Sequence, residues 1–208
     1  MTGPLGTRAG RVLLLALVAG AFAWAGCSAP STEGSDDGRV THREGEGPLS
    51  VSGAGGNSIR APRQTPWLAT FGWTTPCTTT GNPVTIEAIR YHFKVEPLLV
   101  RNVVFEAQPW HGTTGFGSIK GTPEDALRNG EVRGSFLGKP QGYRVTNSCN
   151  ESSADDVVQI LTVLKAGSRG AEITSYTIDY TSQDKAYALE VDWQMVACGT
   201  DTSVDMCP

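Results

Sequence analysis

Five cysteines are the side chains of this sequence with the clearest chemistry: Cys27, Cys77, Cys149, Cys198 and Cys207. None of them forms a Cys-x-x-Cys pair, which is the spacing that zinc sites and thioredoxin-like redox sites use. The last four therefore suit two disulfides, and disulfides are typical of proteins that fold outside the cytoplasm. Four cysteines allow three pairings, and their spacing alone does not choose among them.

The three histidines, His42, His92 and His111, are the candidate general bases and metal ligands. No Gly-x-Ser-x-Gly elbow is present to seat a serine nucleophile, and no histidine follows Cys198 as a blue-copper site would need. We therefore expect no catalytic residue, no metal, no cofactor and no enzymatic activity. The competing expectation is a secreted hydrolase or metal carrier, which would require His92, His111 and a carboxylate to meet in one cleft.

A short apolar segment at residues 12–24 precedes Cys27, and two arginines precede that segment. A helix that crosses a bilayer needs about 20 apolar residues, so the segment is too short to span and has the length of a signal-peptide core. The sequence therefore predicts a signal peptide over residues 1–26.

Two cleavage sites compete at the end of this signal. Ala25 and Gly26 before Cys27 resemble the lipobox of bacterial lipoproteins, in which the cysteine is acylated and becomes the mature N-terminus. Ala23 and Ala25 would instead allow ordinary cleavage after Ala25 and secretion. Acylation of Cys27 leaves an even set of cysteines, so parity favours lipidation. We expect a protein anchored on the extracytoplasmic face of the cell membrane by acyl chains.

The charge of the mature chain excludes some partners. The first 26 residues contain two of the 17 basic residues and none of the 21 acidic ones, so 15 basic and 21 acidic residues remain, a net charge of −6. An acidic surface argues against nucleic acid and against electrostatic attachment to anionic lipid headgroups. The expected partners are the membrane, through the anchor, and an unknown protein or cell-wall ligand.

Composition divides the chain after the signal into two parts. Residues 27–64 are rich in Gly, Ser and charge of alternating sign, with little apolar area, so we expect a disordered tether in which His42 is solvated. Residues 65–208 show short apolar runs broken by turn residues, and their number suits one domain.

Period-two alternation predicts that this domain is all-β. Residues 67–73, 84–95 and 99–107 alternate, and a change of phase between Ala88 and Ile89 predicts a bulge or two abutting strands. Residues 157–164 are apolar on both faces, as in a central strand. The clearest hairpin runs from Ile173 to Val196 and turns at residues 182–185, while residues 132–136 and 143–145 are weaker strands.

One short helix is expected after residue 122. Thr122 can cap it, Pro123 suits its first turn, Asp125 is placed for a capping box and Gly130 can end it. With seven or eight strands, the pattern predicts an antiparallel β-sandwich.

The stretch from Val84 to Gly199 resembles the immunoglobulin-like domain of small actinobacterial surface lipoproteins of unknown function. The matching features are the strand at 84–89, Cys149 ahead of a Val- and Leu-rich strand, and the closing hairpin with Tyr176–Tyr180, Tyr187 and Cys198-Gly199. The resemblance implies an immunoglobulin-like β-sandwich and a surface location, and neither a ligand nor a reaction.

The resemblance also implies a disulfide pairing. It places the Cys149 region against the closing strand, which favours Cys149–Cys198 together with Cys77–Cys207. The alternative is Cys77–Cys149 together with a small loop closed by Cys198 and Cys207.

A candidate binding loop lies between Gln108 and Gly121, where no clear element is predicted. It carries Trp110, His111 and Phe116 among glycines and threonines, the mixture of rigid aromatic and adaptable polar groups that binding loops favour. The alternative is that Trp110 and Phe116 turn inward and close the open end of the sandwich.

Overall fold

The structure is a computed structural model, and it describes residues 38–52, 55–110, 115–150 and 157–207. The signal segment, Cys27 and His111 therefore lie outside the described residues. No helix among the described residues is long and apolar enough to cross a membrane.

Two sheets, rich in antiparallel pairs, make an all-β sandwich. The strands are β1 Val40–Arg43, β2 Leu49–Ser52, β3 Gly55–Ile59, β4 Trp67–Thr78, β5 Val84–Val95, β6 Leu99–Gln108, β7 Ser118–Lys120, β8 Arg133–Gly138, β9 Arg144–Val145, β10 Val157–Ala166, β11 Ala171–Ser182, β12 Lys185–Val191 and β13 Trp193–Ala197, with one helix, α1 Pro123–Arg128. A 3-10 turn at Val204–Met206 follows the last strand.

The first sheet is built around β11. It pairs antiparallel with β5 on one side and with β12 and β13 on the other. The short strands β1 and β3 extend this sheet parallel to β12 and β13, and β9 pairs with the other edge of β5. Gln183 and Asp184 turn between β11 and β12 with φ of 48° and 60°, so the predicted hairpin is confirmed.

The second sheet is built around β10, which lies between β4 and β6 as predicted for a central strand. Beyond β6 the sheet ends at β8. The other edge of β4 carries β7 near its start and β2 near its end.

The core between the sheets follows from the alternation of the strands. The second arm of the hairpin sends Leu189, Val191, Trp193 and Met195 into it. In β5, Ile86 pairs with Tyr180 while Ala88 pairs with Asp179. Glu87 is therefore one extra residue, and the predicted bulge is confirmed.

A second, smaller core covers the opposite face of the second sheet. Its buried members are Phe105, Ala107, Phe116, Ala126 and Leu161. Ala126 comes from α1, which begins with the predicted capping box, since Thr122 and Asp125 bond each other's backbone N–H. This second layer explains why β10 is buried on both faces.

The predicted disordered tether at residues 27–64 is wrong for its second half. Strands β1, β2 and β3 lie there, and Leu49, Val51 and Ile59 are buried in the main core. Short strands at a sheet edge are stabilised by backbone hydrogen bonds and a few apolar contacts, so their composition resembles that of a linker. These strands, with β7 and the division of β12 from β13, raise the count to 13 among the described residues.

The disulfides are Cys77–Cys149 and Cys198–Cys207, with Cα–Cα distances of 4.9 and 5.8 Å. The two predicted disulfides are present, but the pairing implied by the resemblance is wrong and the alternative is confirmed. The reason is local pairing, because the backbone N–H of Cys149 donates to the carbonyl of Thr78 at 3.0 Å.

The sandwich has two ends that matter for function. Val40 pairs with Tyr187 and through it with Tyr180, whereas Ile59 pairs with Ala197 and through it with Ala171. Nine residues of β11 separate these levels, about 30 Å at ~3.3 Å per residue. We call the level of Val40 the N-terminal pole and the level of Ile59 the far pole.

Candidate functional site

Phe116, predicted as part of a binding loop, is a core residue. Its side chain is 2% exposed and packs edge-to-face on Phe105, with ring centroids 5.6 Å apart. A buried ring cannot touch a ligand, so the prediction for Phe116 is wrong and the inward alternative holds for this residue.

Buried hydrogen bonds of the Gln159 side-chain amide hold the Phe116 backbone against the sheet. The Gln159 side chain accepts from the N–H of Phe116 and donates to the carbonyls of Gly72 and Phe116. A Cβ at Gly72 would lie 2.5 Å from the Phe116 carbonyl oxygen, so only glycine allows the loop this close to β4. The segment then continues as β7, which the sequence did not reveal.

Trp110 is half-buried, and contacts occupy both its polar group and its ring face. Its indole N–H donates to the carbonyl of Gly130 at 3.1 Å, and the Arg133 guanidinium lies 3.2 Å from the ring centroid. Such cation–π contacts stabilise a fold as well as a complex. A binding role for Trp110 and His111 stays a prediction.

His92 lies exposed on the outer face of the first sheet, opposite Ser175 in register. With Glu190 and Asp192 these residues line a shallow groove of about 210 Å³. Among the described residues, no three His, Cys, Asp or Glu side chains are grouped so that they could hold a metal ion.

The sequence suggested a solvated His42. The residue is instead buried and is 8% exposed. Its Nδ1 lies 2.9 Å from the Arg43 carbonyl, which only accepts, so Nδ1 carries the proton. Its Nε2 therefore accepts from the Tyr180 hydroxyl at 2.6 Å. Burial raises the pKa of Tyr180 to about 12. These bonds fasten β1 to the sandwich.

Glu172 makes a similar connection at the far pole. Its carboxylate is 1% exposed and accepts from the Ser203 N–H at 2.7 Å and from Gln194 at 2.9 Å. Burial opposes its ionisation, but these bonds, the Ser203 hydroxyl and the charge of Lys94 outweigh burial and lower its pKa. The cluster holds the C-terminal turn that Cys207 ends.

A cleft of about 360 Å³ opens between the sheet edges, lined among others by Ile89, Arg101, Asn102 and Lys139. Beside it the Tyr91 hydroxyl bonds Asn102 at 2.6 Å and Thr162 at 2.9 Å. Burial raises the pKa of Tyr91 to about 12 against the effect of these bonds. The phenol therefore stays protonated at neutral pH and acts as a spacer between the sheets.

A further cavity lies at the far pole and measures about 550 Å³. We call it the Trp67 groove, and its lining is Pro62, Pro66, Trp67, Leu68, Lys120, Gly121 and Lys165. The volume is in the range of small-ligand sites, and mostly apolar lining with a few polar groups is typical of them.

Three sheet elements and one loop position this groove. Leu68 of β4 and Leu99 of β6 flank Lys165 of β10 in register. Lys120 ends β7 beside β4, and the Gly121 N–H donates to the Leu68 carbonyl at 2.7 Å. The residues between β3 and β4 supply the two prolines.

The polar side chains that line the groove have no hydrogen-bond acceptor or ion-pair partner in the described part of the chain. The indole N–H of Trp67 is buried and has no acceptor there, although such groups usually have one. Lys120 and Lys165 form no ion pair with the described carboxylates, whereas Arg101, Arg128 and Arg169 each have one.

Sequence reasoning missed this groove because its residues are far apart along the chain. Trp67 and Leu68 were assigned to a strand, and Pro62 and Pro66 to the tether or its boundary. The two lysines follow no local sequence pattern. An alternating strand that begins with a proline-flanked tryptophan was the only available signal.

No known protein family, curated protein or solved structure matches this chain.

Proposed function

We propose that the chain is an extracytoplasmic lipoprotein, anchored in the cell membrane through Cys27, that presents one non-enzymatic β-sandwich domain for binding or for maintenance of the cell envelope. The resemblance to actinobacterial surface lipoproteins with an immunoglobulin-like domain is part of this proposal.

Cysteine pairing carries the proposal. All four cysteines of the described part are joined in two disulfides, and Cys27 alone is left over. Disulfides persist in oxidising compartments, where a leftover thiol would oxidise or pair between molecules. Acylation consumes that thiol, and Cys27 follows the apolar segment at the place where lipoproteins carry their acylated cysteine.

Because the first strand of the sandwich begins at Val40, the segment between Cys27 and the domain is short. Only ten residues separate Cys27 from Gly38, which reach at most about 35 Å when fully extended. The anchored domain would therefore stay within about that distance of its attachment point.

The anchor is tested by mass spectrometry of the protein from the membrane fraction of the native cells. We expect a mature chain that begins at acylated Cys27. Cys27→Ser should release the protein from the membrane, while the neighbouring control Ser28→Ala should leave it anchored. An unmodified N-terminus at Gly26, with the protein in the medium, would instead establish secretion.

The competing function, a hydrolase or metal carrier, would depend on the groove that holds His92, Ser175, Glu190 and Asp192. Equilibrium dialysis against Zn²⁺ and Cu²⁺ tests the carrier form. One bound equivalent that disappears in His92→Ala would favour a carrier, and equal weak binding by both proteins would count against it.

A further inference from the structure

We propose that the Trp67 groove binds a small amphipathic carboxylate, a carboxylate group on an apolar chain. The ammonium groups of Lys120 and Lys165 would face the carboxylate, and Pro62, Pro66 and Leu68 would contact the apolar part. This inference rests on the binding half of the proposed function and gives it a ligand class.

An uncovered part of the second sheet supplies apolar area to the groove. Farther along the same face, Phe105 and Leu161 are covered by α1 and by Phe116. At the far pole that layer ends at Gly121 and Leu68 is left half-buried, while Leu99, on the other side of Lys165, is 55% exposed. Burial of this apolar area by a ligand chain is favourable at about 25 cal/mol per Å².

The lysines of the groove indicate the sign of the ligand's charge. The chain is acidic overall, with 21 carboxylate residues against 17 basic ones. Several surface cations are nevertheless paired: Arg101 with Glu124, Arg169 with Asp201 and Lys94 with Glu172. Lys120 and Lys165 lie at the groove without such a partner among the described residues, so the groove is complementary to an anion and repels a cation.

The Trp67 indole belongs to the main core, so it does not supply a donor to the ligand. The side chain is 7% exposed and packs in the main core, and its N–H is buried. The polar part of the site is therefore the two lysines. Their ammonium groups suit a carboxylate, whose oxygens accept several bonds.

The test is isothermal titration calorimetry on residues 28–208, which lack the signal and Cys27. The probes are dodecanoate and dodecyltrimethylammonium, which share a chain length and differ in charge, at pH 8 where the carboxylate is ionised and lysines are protonated. We expect at least about tenfold tighter binding of dodecanoate.

Variants locate the binding. The double variant K120A/K165A should weaken dodecanoate binding about tenfold and leave dodecyltrimethylammonium unchanged or improved. Lys139→Ala, which removes an exposed lysine from the cleft at the sheet edges, should have no effect. In NMR spectra the indole N–H resonance of Trp67 should shift with dodecanoate while that of Trp193 stays in place.

Equal affinity for the two probes, or an equal loss in Lys139→Ala, would overturn the proposal, because either result means nonspecific apolar binding. Tighter binding to phosphatidylglycerol vesicles than to dodecanoate would also overturn it in favour of a bilayer lipid. Since this chain lacks Cys27, failure here leaves the proposed anchor intact, and an unacylated Cys27 would leave this result unchanged.

Discussion

Two regions of the second sheet are alike in composition and opposite in chemistry. The first is made of residues 108–110 and 115–121, and the second is the Trp67 groove. Each has a tryptophan, a glycine and nearby cations. In the first, the indole N–H of Trp110 is bonded to Gly130 and its ring face is covered by Arg133. In the second, the N–H of Trp67 has no described acceptor.

The comparison teaches that residue types alone do not mark a binding surface. The sequence favoured the first region because it has aromatic residues in a glycine-rich loop. The fold uses most of that chemistry internally, in a second core and in hydrogen bonds to the sheet. At the far pole, where the covering layer ends, Lys120 and Lys165 line the groove without an ion-pair partner among the described residues.

The largest expected effect is the loss of stability in Phe116→Ala. The ring is 2% exposed in the second core, so its removal should cost about 3–5 kcal/mol of the free energy of unfolding. Urea denaturation measures this loss, and Phe93→Ala, at a ring that is 40% exposed, is the control with a much smaller cost. If Phe116→Ala cost less than about 1 kcal/mol, the first region would not be a core.

The next effect concerns the amide that holds Phe116. Gln159→Met keeps the approximate size of the side chain but leaves the Phe116 N–H and the Gly72 carbonyl without partners. We expect a loss of about 1–3 kcal/mol in urea denaturation, against no measurable change for the exposed control Gln141→Met. Unchanged stability in Gln159→Met would show that the loop is not held by this amide.

A substitution in the Trp67 groove should cost little stability but weaken ligand binding. Leu68→Ala removes apolar area from a half-buried side chain, so we expect a stability cost of about 1 kcal/mol and a three- to tenfold weaker affinity for dodecanoate, roughly 1 kcal/mol. Leu137→Ala, at a leucine that is 43% exposed on β8, is the matched control and should not change that affinity. An unchanged affinity in Leu68→Ala would remove the groove floor from the binding site.

The smallest effect is the acid sensitivity of α1, which covers the first region. The Arg101 guanidinium bonds Glu124 at 2.7 and 2.8 Å and lowers the pKa of that carboxyl to about 2. A lowered pKa in the folded state contributes stability above the unfolded pKa, about 4.3, that is lost as the pH falls toward 2. Because both groups are partly exposed, we expect only about 0.2–1 kcal/mol.

This contribution is measured by urea denaturation at pH 5 and pH 2.5. Glu124→Gln should reduce the difference in stability between the two pH values by that amount. An identical pH dependence in the variant would mean that the ion pair does not stabilise α1.

Local features of the fold were predictable from the sequence. The capping box at Thr122 and Asp125, the bulge near Ala88 and the turn before Lys185 depend on residues within a few positions of each other. The interactions that form them lie within a short segment, so the local residue pattern is enough to predict them. The burial of β10 was also predictable, because an apolar run on both faces must be covered on both.

Long-range features were decided only by the tertiary structure. Cys77 pairs with Cys149 because β4 lies beside the segment around residue 148, and no sequence spacing reveals that neighbour. Strands β1 and β3 form because the edges of β12 and β13 offer backbone partners, which a Gly-rich segment can use as well as an apolar one. The Trp67 groove exists for the same reason. Its lining comes together only when β4, β7, β10 and the loop between β3 and β4 meet. Whether a polar side chain there has a hydrogen-bond or ion-pair partner depends on how these elements pack.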